Sequence, residues 1–250
     1  VCDFGLVKKR IRKWLDHELD HRLLIPQLSP QLSRDSKTSQ PSSEQLCFRF
    51  AENLSIECES PSQALTWVDA ESITPESVSK WGSQQLKDLF PSSIEKISLC
   101  FKPEEIDSPF YHYSHGLKKH GGNCQRIAHG HRSKILIWKN GSLCNTSMED
   151  WANRWKDIYI ATQEDLTPTS LTDYLQNLDG QDGNFEFCYT AQQGEFSLSI
   201  PKQSCYIIDT DTTVEFIASH LAQKLKSEFP KDTFVVKAFE GIGKGAIAEI

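Results

Sequence analysis

The sequence of 250 residues lacks an apolar run long enough to cross a membrane, and no secretory signal is visible in it. Its eight cysteines are scattered and form no Cys-x-x-Cys pair. We therefore expect mostly buried free thiols in a reducing, cytoplasmic compartment, with disulfides as the less favoured alternative. Basic residues number 27 against 34 acidic ones, and the net charge of -7 argues against nucleic acid as a general partner. The length fits one large domain or two small ones.

The sequence does contain one informative stretch, residues 114–131, which combines three candidate metal ligands with one cysteine. His129 and His131 stand two residues apart at the start of a predicted strand, so both imidazoles face the same side. His115 ends another extended run, and a hairpin of the two strands would bring it beside that pair. Three imidazoles with an open fourth position are typical of a catalytic zinc rather than a structural one. Cys124, on the connecting loop, would lie near the ion, which would lower the thiol pKa and make it a base or nucleophile.

Two other histidines, His112 and His120, compete for the position of the third ligand. Alternation along a strand puts His112 on the face opposite His115, so we favour His115. A His-x-His pair also arises by chance, and the spacing alone leaves that alternative open.

Hydrophobic periodicity and turn residues predict the elements around this stretch. In the first half they are a helix over 5–19, a flexible loop over 27–44, a hairpin of strands 47–50 and 54–58, a helix opening at Thr74-Pro75, and a closing strand over 96–101. In the second half they are a hairpin of strands 185–189 and 195–200, a helix opened by Thr213, and a closing strand over 233–239. We interpret the shared order as a duplication with a boundary near Asp107-Ser108-Pro109, which gives units 1–107 and 108–250.

Several short patterns spread over both ends of the chain belong together. They are the His115-x-Leu117 strand end, the Cys124 loop, the His129-Gly130-His131 strand start, the Asp3-Phe4-Gly5 turn, the segment 19–24 with Asp20-His21, the helix entry 212–215 and the last strand 236–240. In combination they resemble the motifs of the 6-pyruvoyltetrahydropterin synthase and 6-carboxytetrahydropterin synthase family.

That resemblance implies an α+β fold of two tandem tunnelling-fold units, each an antiparallel sheet with two helices on one face. It also implies that the first unit lacks its N-terminal hairpin and carries an inserted loop and hairpin at about residues 27–70. Because tunnelling-fold units assemble side by side, we expect a homo-oligomer, a dimer or a larger even assembly.

The resemblance further implies a zinc enzyme acting on a small molecule, 7,8-dihydroneopterin triphosphate. The implied site consists of Zn2+ on His115, His129 and His131, the catalytic residues Cys124, Asp20 and His21, and the pterin-binding residues Glu240, Thr213 and Thr74. In this scheme Cys124 removes a proton, the Asp20-His21 pair is the second acid and base, and Glu240 anchors the pterin ring. Candidates for the triphosphate are Lys118, Lys119, Arg126 and Arg132.

Two products can arise from this substrate. The short Cys-x4-His-Gly-His loop is more like that of the carboxy enzymes, so we favour 6-carboxy-5,6,7,8-tetrahydropterin, a queuosine precursor formed with release of acetaldehyde and triphosphate. Elimination of triphosphate to 6-pyruvoyltetrahydropterin is the alternative. A third hypothesis is a pterin-binding or scaffold protein without catalytic activity, because each half lacks residues that the other keeps.

The halves differ in two places that matter for such a site. Lys102 stands in the first unit where Glu240 stands in the second, and the stretch 155–160 of the second unit has no counterpart of Asp20-His21. We therefore expect a composite site, with zinc and cysteine from one unit and the Asp-His pair from the other.

Simpler interpretations exist for two of these features. His21 close to a helix end is favourable as a cation next to the negative end of the helix dipole. Glu240 can be an ordinary carboxylate at the end of a strand. The glycine-rich segment 241–245 lacks the Walker spacing, so we discount a phosphate loop there.

Overall fold

The computed structural model describes residues 3–35, 42–52, 54–176 and 182–250. The chain divides into two compact units, Val1–Glu104 and Glu105–Ile250. This division lies three residues before Asp107, near which the sequence places the boundary. Within the described ranges, no helix is both long and apolar enough to cross a bilayer. The seven cysteines in these ranges are free thiols, as the sequence predicted, but the expectation that most are buried is wrong. Of these seven, only Cys58 is buried, whereas Cys100 and Cys188 are exposed and the other four are half-buried.

The described part of the first unit contains two helices and five strands. They are α1 (Phe4–Glu18), β1 (Leu23–Pro26), β2 (Leu32–Asp35), β3 (Ser43–Ala51), β4 (Leu54–Pro61), β5 (Leu65–Val68) and α2 (Pro75–Asp88). Strands β2, β3 and β4 form an antiparallel meander, whereas β1 pairs with β5 in parallel. The hairpin predicted for this unit is confirmed as β3 and β4.

Both predicted helices of the first unit are confirmed, and each begins at a side-chain cap. The Asp3 carboxylate accepts a hydrogen bond from the Gly5 N–H at 2.8 Å. The Thr74 hydroxyl accepts from the Ser77 N–H at 3.1 Å, and the Thr74 N–H donates to the Ser77 hydroxyl at 2.9 Å. These reciprocal bonds satisfy N–H groups that have no partner inside the first turn.

Two expectations for the first unit are wrong. The predicted loop over 27–44 contains β2 and the start of β3, because Leu32 packs on the buried core of Ile25, Leu46 and Leu65; residues 36–41 lie outside the described part. The predicted strand over 96–101 is not a strand. Its Leu99 packs beside α1 and α2, and the Leu99 N–H donates to the Ser83 hydroxyl at 2.8 Å. A strand needs a neighbouring ladder, and the described residues of this unit provide none beside that segment.

The second unit contains three helices and nine strands in its described part. They are β6 (Phe110–His115), β7 (His129–Lys139), β8 (Ser142–Leu143), α3 (Asn145–Arg154), β9 (Ile158–Thr162), α4 (Pro168–Gln176), β10 (Asn184–Ala191), β11 (Gly194–Pro201), β12 (Cys205–Ile208), α5 (Val214–Glu228), β13 (Phe234–Gly241) and β14 (Lys244–Glu249). The predicted hairpin, helix and closing strand are confirmed as β10–β11, α5 and β13. Gly241 ends β13, and Gly243 lies in the turn between β13 and β14, so the glycine-rich segment closes a hairpin.

The central sheet of the second unit is built on four antiparallel strands, in the order β6-β7-β13-β14. Helix α3 packs against β6 and β7, and α5 packs against β13 and β14. Both helices contribute to one core with the sheet, in which Tyr111, Ile137 and Val236 are fully buried. This arrangement is the antiparallel sheet with two helices on one face that the resemblance implied.

The sheet is nevertheless not purely antiparallel, and that part of the expectation is wrong. β9 pairs with β6 in parallel, and β12 pairs with β9 in parallel. A parallel neighbour requires a long crossover connection, which the segments containing α3 and α4 supply. The extension places β9 directly beside the strand that carries His115.

Candidate metal centre

The pairing of β6 with β7 brings the three predicted histidines together. His115 lies opposite His129, and Tyr113 lies opposite His131. All three side chains occupy the sheet face that the helices cover, because residues two apart on a strand share a face. One ring nitrogen from each histidine lies within 4.8 Å of the others, and the ring centroids of His115 and His129 are 4.4 Å apart.

Each histidine is oriented by a hydrogen bond from its Nδ1. His115 Nδ1 lies 3.0 Å from the carbonyl oxygen of Thr212 and 2.9 Å from the hydroxyl of that residue. Nδ1 of His129 and Nδ1 of His131 lie 3.0 and 2.9 Å from backbone carbonyl oxygens, those of Arg126 and Glu240. A carbonyl oxygen only accepts, so each Nδ1 carries the proton and the Nε2 lone pair is the one that can bind a metal.

This donor set fits a catalytic zinc ion. Three neutral imidazoles whose second nitrogens bond to backbone carbonyls are the usual first and outer coordination shells of such a centre. His115 and His129 are also buried, with 1% and 5% of their surface exposed, so their rings are held by packing as well as by hydrogen bonds. Sequence periodicity predicts that the three histidines come together, but the residues that orient their rings carry no pattern. Thr212, which contacts His115, stands next to Thr213, the residue that the sequence favours.

Cys124 lies on a single turn of 3-10 helix, Gly122–Gln125, in the connection between β6 and β7. Its Sγ is within 4.8 Å of a ring nitrogen of His129, and the residue is half-buried. The Cys124 carbonyl accepts from the Leu117 N–H at 2.9 Å, which closes the base of the loop. The thiol is therefore beside the histidine cluster and is not sealed in an apolar interior.

The tip of the β10–β11 hairpin fixes the position of this loop. The Gln193 side-chain amide donates to the Gly122 carbonyl at 3.0 Å and to the Asn123 side-chain oxygen at 2.9 Å. The Tyr189 hydroxyl donates to the Gln125 carbonyl at 2.6 Å, and the Gln193 N–H donates to the Gln125 side-chain oxygen at 3.1 Å. Four bonds from one hairpin thus hold the segment that carries the thiol.

Glu240 lies at the end of β13, where its carbonyl accepts from His131. Burial raises the pKa of Tyr111 and of Tyr113, and the charge of Glu240 contributes to both shifts. Desolvation is the larger cause in both cases, and the negative charge of Glu240 adds to it.

The two threonines expected in a pterin pocket have different surroundings. Thr213 is the N-cap residue of α5, half-buried, and its side chain makes no capping bond there. Thr74 uses its hydroxyl in the capping box of α2. A role in pterin binding stays a prediction for both residues, and the capping role of Thr74 is the one its contacts explain.

Asp20 and His21 belong to the first unit, just after α1. His21 Nδ1 lies 3.0 Å from the Asp20 carboxylate. His21 also has a left-handed backbone, with φ of 54°, a conformation that is uncommon outside glycine and for which Asp, Asn and His are enriched. The two side chains are at ion-pair distance, and the catalytic role of the pair stays a prediction.

The four basic residues suggested for the triphosphate all have contacts inside the second unit. Lys118 pairs with Asp165 at 2.5 Å, and Lys119 pairs with Glu164 at 2.8 Å. The Arg126 Nε–H donates to the side-chain oxygen of Gln193 at 3.1 Å, and the Arg132 guanidinium lies 4.3 Å from the ring centre of Phe110. The carboxylates beside Lys118 and Lys119 already compensate those two charges.

The competing histidines lie elsewhere. His112 is on the opposite side of β6, as alternation predicted, and its Nδ1 is 3.1 Å from the Asp157 carboxylate. His120 is exposed, and its Nδ1 lies 3.1 Å from the Gly121 carbonyl oxygen. Neither belongs to the cluster of His115, His129 and His131.

Comparison with known proteins places these features in context. The family model described as 6-pyruvoyl tetrahydropterin synthase matches residues 108–249, which is more than half of the chain. A crystal structure of 6-pyruvoyltetrahydropterin synthase from Plasmodium vivax matches with 17% identity and a TM-score of 0.40, covering 58% of this chain and 94% of its own. Two catalytic-residue mutants of that protein match with 16% identity and the same TM-score and coverage. No curated protein sequence matches the chain significantly.

Proposed function

Because the chain belongs to the 6-pyruvoyl tetrahydropterin synthase family, we propose that it is a zinc enzyme that converts 7,8-dihydroneopterin triphosphate. The observation that supports this proposal best is the cluster of His115, His129 and His131, with the Cys124 thiol within 4.8 Å of a His129 nitrogen. A metal-binding triad next to a half-buried thiol is suited to proton removal at a carbon beside a hydroxyl or carbonyl group.

The residues would divide the work as follows. Zinc, when bound to the three histidines, supplies Lewis-acid polarisation of a side-chain oxygen of the substrate. Cys124, held by its loop, accepts a proton from the substrate carbon. The Asp20-His21 pair moves the second proton, with the carboxylate orienting the imidazole across 3.0 Å. Glu240 accepts from the pterin ring, and its backbone carbonyl lies 2.9 Å from His131 Nδ1.

We favour 6-carboxy-5,6,7,8-tetrahydropterin as the product, with acetaldehyde and triphosphate released. The four residues between Cys124 and His129 make a short loop, which is the feature that supports this choice. 6-Pyruvoyltetrahydropterin is the second candidate, since the matching family model bears that enzyme's name. Chromatography of the products from dihydroneopterin triphosphate, with a separate assay for acetaldehyde, distinguishes the two. A zinc-loaded protein that consumes no substrate would contradict both and favour a pterin-binding protein without activity.

A matched pair of variants on one strand tests the metal centre. His115→Ala removes a ligand, while His112→Ala removes a histidine three residues away on the opposite face of β6. We expect about one zinc per chain in the wild type and in His112→Ala, and a large loss in His115→Ala, measured by elemental analysis after reconstitution and gel filtration. Equal zinc content in all three proteins would contradict the assignment of His115.

We also propose that the two units derive from one ancestral unit. In the first, β1 pairs with β5 from Leu23 and Leu65; in the second, β9 pairs with β12 from Tyr159 and Cys205. Each second strand follows a proline and a three-residue 3-10 helix, Ser62–Ala64 or Lys202–Ser204. The prolines have nearly the same backbone angles, φ -53° and ψ 137° against φ -52° and ψ 135°.

Assembly is part of the same proposal. A composite site needs both kinds of unit, which favours a dimer or a larger even homo-oligomer. Light scattering combined with size-exclusion chromatography measures the mass. A monomer with full activity would contradict the assembly while leaving the metal centre intact.

A further inference from the structure

The end of β13 is held by a side chain from another strand. Its pairing with β7 runs as far as Ala238 and Ile135, and its pairing with β14 shifts between Phe239 and Gly241. At this irregularity the Phe239 N–H donates to the Tyr111 hydroxyl at 3.0 Å, and the Tyr111 O–H donates to the Phe239 carbonyl at 2.5 Å. One phenol oxygen thus bonds to both backbone groups of Phe239.

The environment of Tyr111 suits this role. Its side chain on β6 is fully buried, and burial raises the pKa of its phenol, so the hydroxyl keeps the proton it donates. A buried group that both donates and accepts fixes a backbone segment more strongly than either bond alone, because breaking it leaves two buried backbone groups without partners.

The segment that Tyr111 holds leads directly to the metal centre. The Phe239 carbonyl belongs to the peptide group that precedes Glu240, and the Glu240 carbonyl accepts from His131 Nδ1 at 2.9 Å. Glu240 is also the residue whose carboxylate contributes to the raised pKa of Tyr111. The backbone of the proposed pterin anchor therefore contacts a proposed metal ligand directly.

We propose that Tyr111 is a positioning residue. Through its two bonds to Phe239 it holds the Glu240 carbonyl against His131 Nδ1, and it thereby fixes both the orientation of a metal ligand and the position of the substrate anchor. The proposal rests on the proposed function in that it takes His131 as a zinc ligand and Glu240 as the pterin anchor. Bonds to the second nitrogen of a metal-binding histidine typically change metal affinity by about 10- to 100-fold when they are lost.

The same strand provides a matched control. Tyr113 lies two residues from Tyr111 on the same face and is also buried, with 4% of its surface exposed. Its hydroxyl has no hydrogen-bond partner among the residues that the structure describes. Replacing either tyrosine with phenylalanine keeps the ring, so the pair separates the two backbone bonds of Tyr111 from the general effect of removing a buried hydroxyl.

The test is zinc affinity, measured by competition with a chromogenic chelator on wild type, Tyr111→Phe and Tyr113→Phe. Circular dichroism first establishes that each protein is folded at the temperature used. We expect Tyr111→Phe to bind zinc about tenfold more weakly, with a changed visible spectrum of the cobalt(II) form, and Tyr113→Phe to match the wild type. Equal affinities in Tyr111→Phe and the wild type would overturn the proposal, as would an equal loss in both variants.

A second variant changes β14 next to the same irregular part of β13. It tests the proposal if Tyr111→Phe does not fold. A Cβ at Gly245 would lie 2.3 Å from the Ala238 carbonyl oxygen and 3.0 Å from the Phe239 ring, so Gly245→Ala must displace this part of β13. We expect weaker zinc binding again, and unchanged affinity would overturn the proposal. A wild type that binds no zinc would refute the proposed function itself, whereas a zinc-binding wild type with unaffected variants refutes only the role of Tyr111.

Discussion

Gly116, between His115 and Leu117, connects the strand that carries His115 to the loop that carries Cys124. A Cβ at this position would lie 2.1 Å from the Tyr189 hydroxyl and 2.9 Å from the Ile127 Cα. Real contacts of this kind are about an ångström longer, so Gly116→Ala must displace the hydroxyl, the backbone at Ile127, or both. The Tyr189 hydroxyl is the donor to the Gln125 carbonyl, and moving it breaks one of the bonds that fix the cysteine loop.

The size of the effect follows from these two contacts. Overpacking a tight site costs roughly 1–3 kcal/mol, and losing a buried hydrogen bond adds about 1 kcal/mol. The sum, about 2–4 kcal/mol, corresponds to a fall in melting temperature of roughly 5–15 °C for a domain of this size. Because the loop shifts relative to His115, we also expect Cys124 to react at a different rate with iodoacetamide.

Gly121→Ala is the matched control for this measurement. Gly121 lies in the same loop, and a Cβ there would have no heavy atom within 4 Å. We expect its melting temperature and thiol reactivity to remain close to those of the wild type. Tyr189→Phe serves as a suppressor, since it removes the oxygen that the new methyl group would meet.

The double variant Gly116→Ala, Tyr189→Phe supplies the decisive comparison. If the hydroxyl is the main obstacle, the double variant loses less stability than the two single changes added together, by about 1–2 kcal/mol. Melting curves from calorimetry give the three values. Strict additivity, or a Gly116→Ala protein as stable as Gly121→Ala, would refute the steric reasoning.

Three further outcomes are expected. Gln193→Ala removes the bonds to Gly122 and Asn123 and should alter the alkylation rate of Cys124 severalfold; an unchanged rate would show that the hairpin does not position the thiol. Burial, with Lys224 as a smaller cause, lowers the pKa of His220 from 6.5 to about 4. The unfolded chain therefore takes up the proton first, and the free energy of unfolding falls as the pH drops from 6.5 towards 4, by at most about 3 kcal/mol. The melting temperature of His220→Gln should depend less on pH than that of the wild type. The same pH dependence in both proteins would contradict this. Zinc at 100 times its dissociation constant should stabilise the protein by about 2.7 kcal/mol, whereas an unchanged melting temperature on chelation would contradict a bound ion.

The sequence predicted the histidine cluster because two simple rules were enough for it. Period-two alternation put His129 and His131 on one face, and the adjacency of consecutive strands put His115 beside them. The same alternation excluded His112 correctly. Helix starts were equally accessible, since the capping residue Thr74 and the proline that follows it act within a few residues of each other.

The orienting contacts could not be found in this way. His129 and His131 bond to the backbone carbonyls of Arg126 and Glu240, and a carbonyl has the same chemistry whichever side chain its residue carries. The role of Tyr111 can be recognised only in the folded chain, because its partner Phe239 lies 128 residues further along the sequence. The error over residues 96–101 has the opposite origin: the strand pattern was present locally, but no neighbouring ladder in the described unit receives it.

The comparison of the two halves shows how far sequence matching can mislead about a lost residue. His21 stands two residues before the first pair of β1 with β5, and Asp157 stands two residues before the pair of Tyr159 with Cys205. Both have a left-handed backbone, with φ of 54° and 57°. In the first unit the histidine at this position contacts Asp20 at 3.0 Å; in the second the aspartate contacts His112 at 3.1 Å. Because the second histidine comes from a neighbouring strand, the segment 155–160 has no Asp-His pair in sequence although the contact exists in space. The position therefore has a His-Asp contact in both units with the two residue types exchanged, which supports the proposed common origin better than the shared order of elements does.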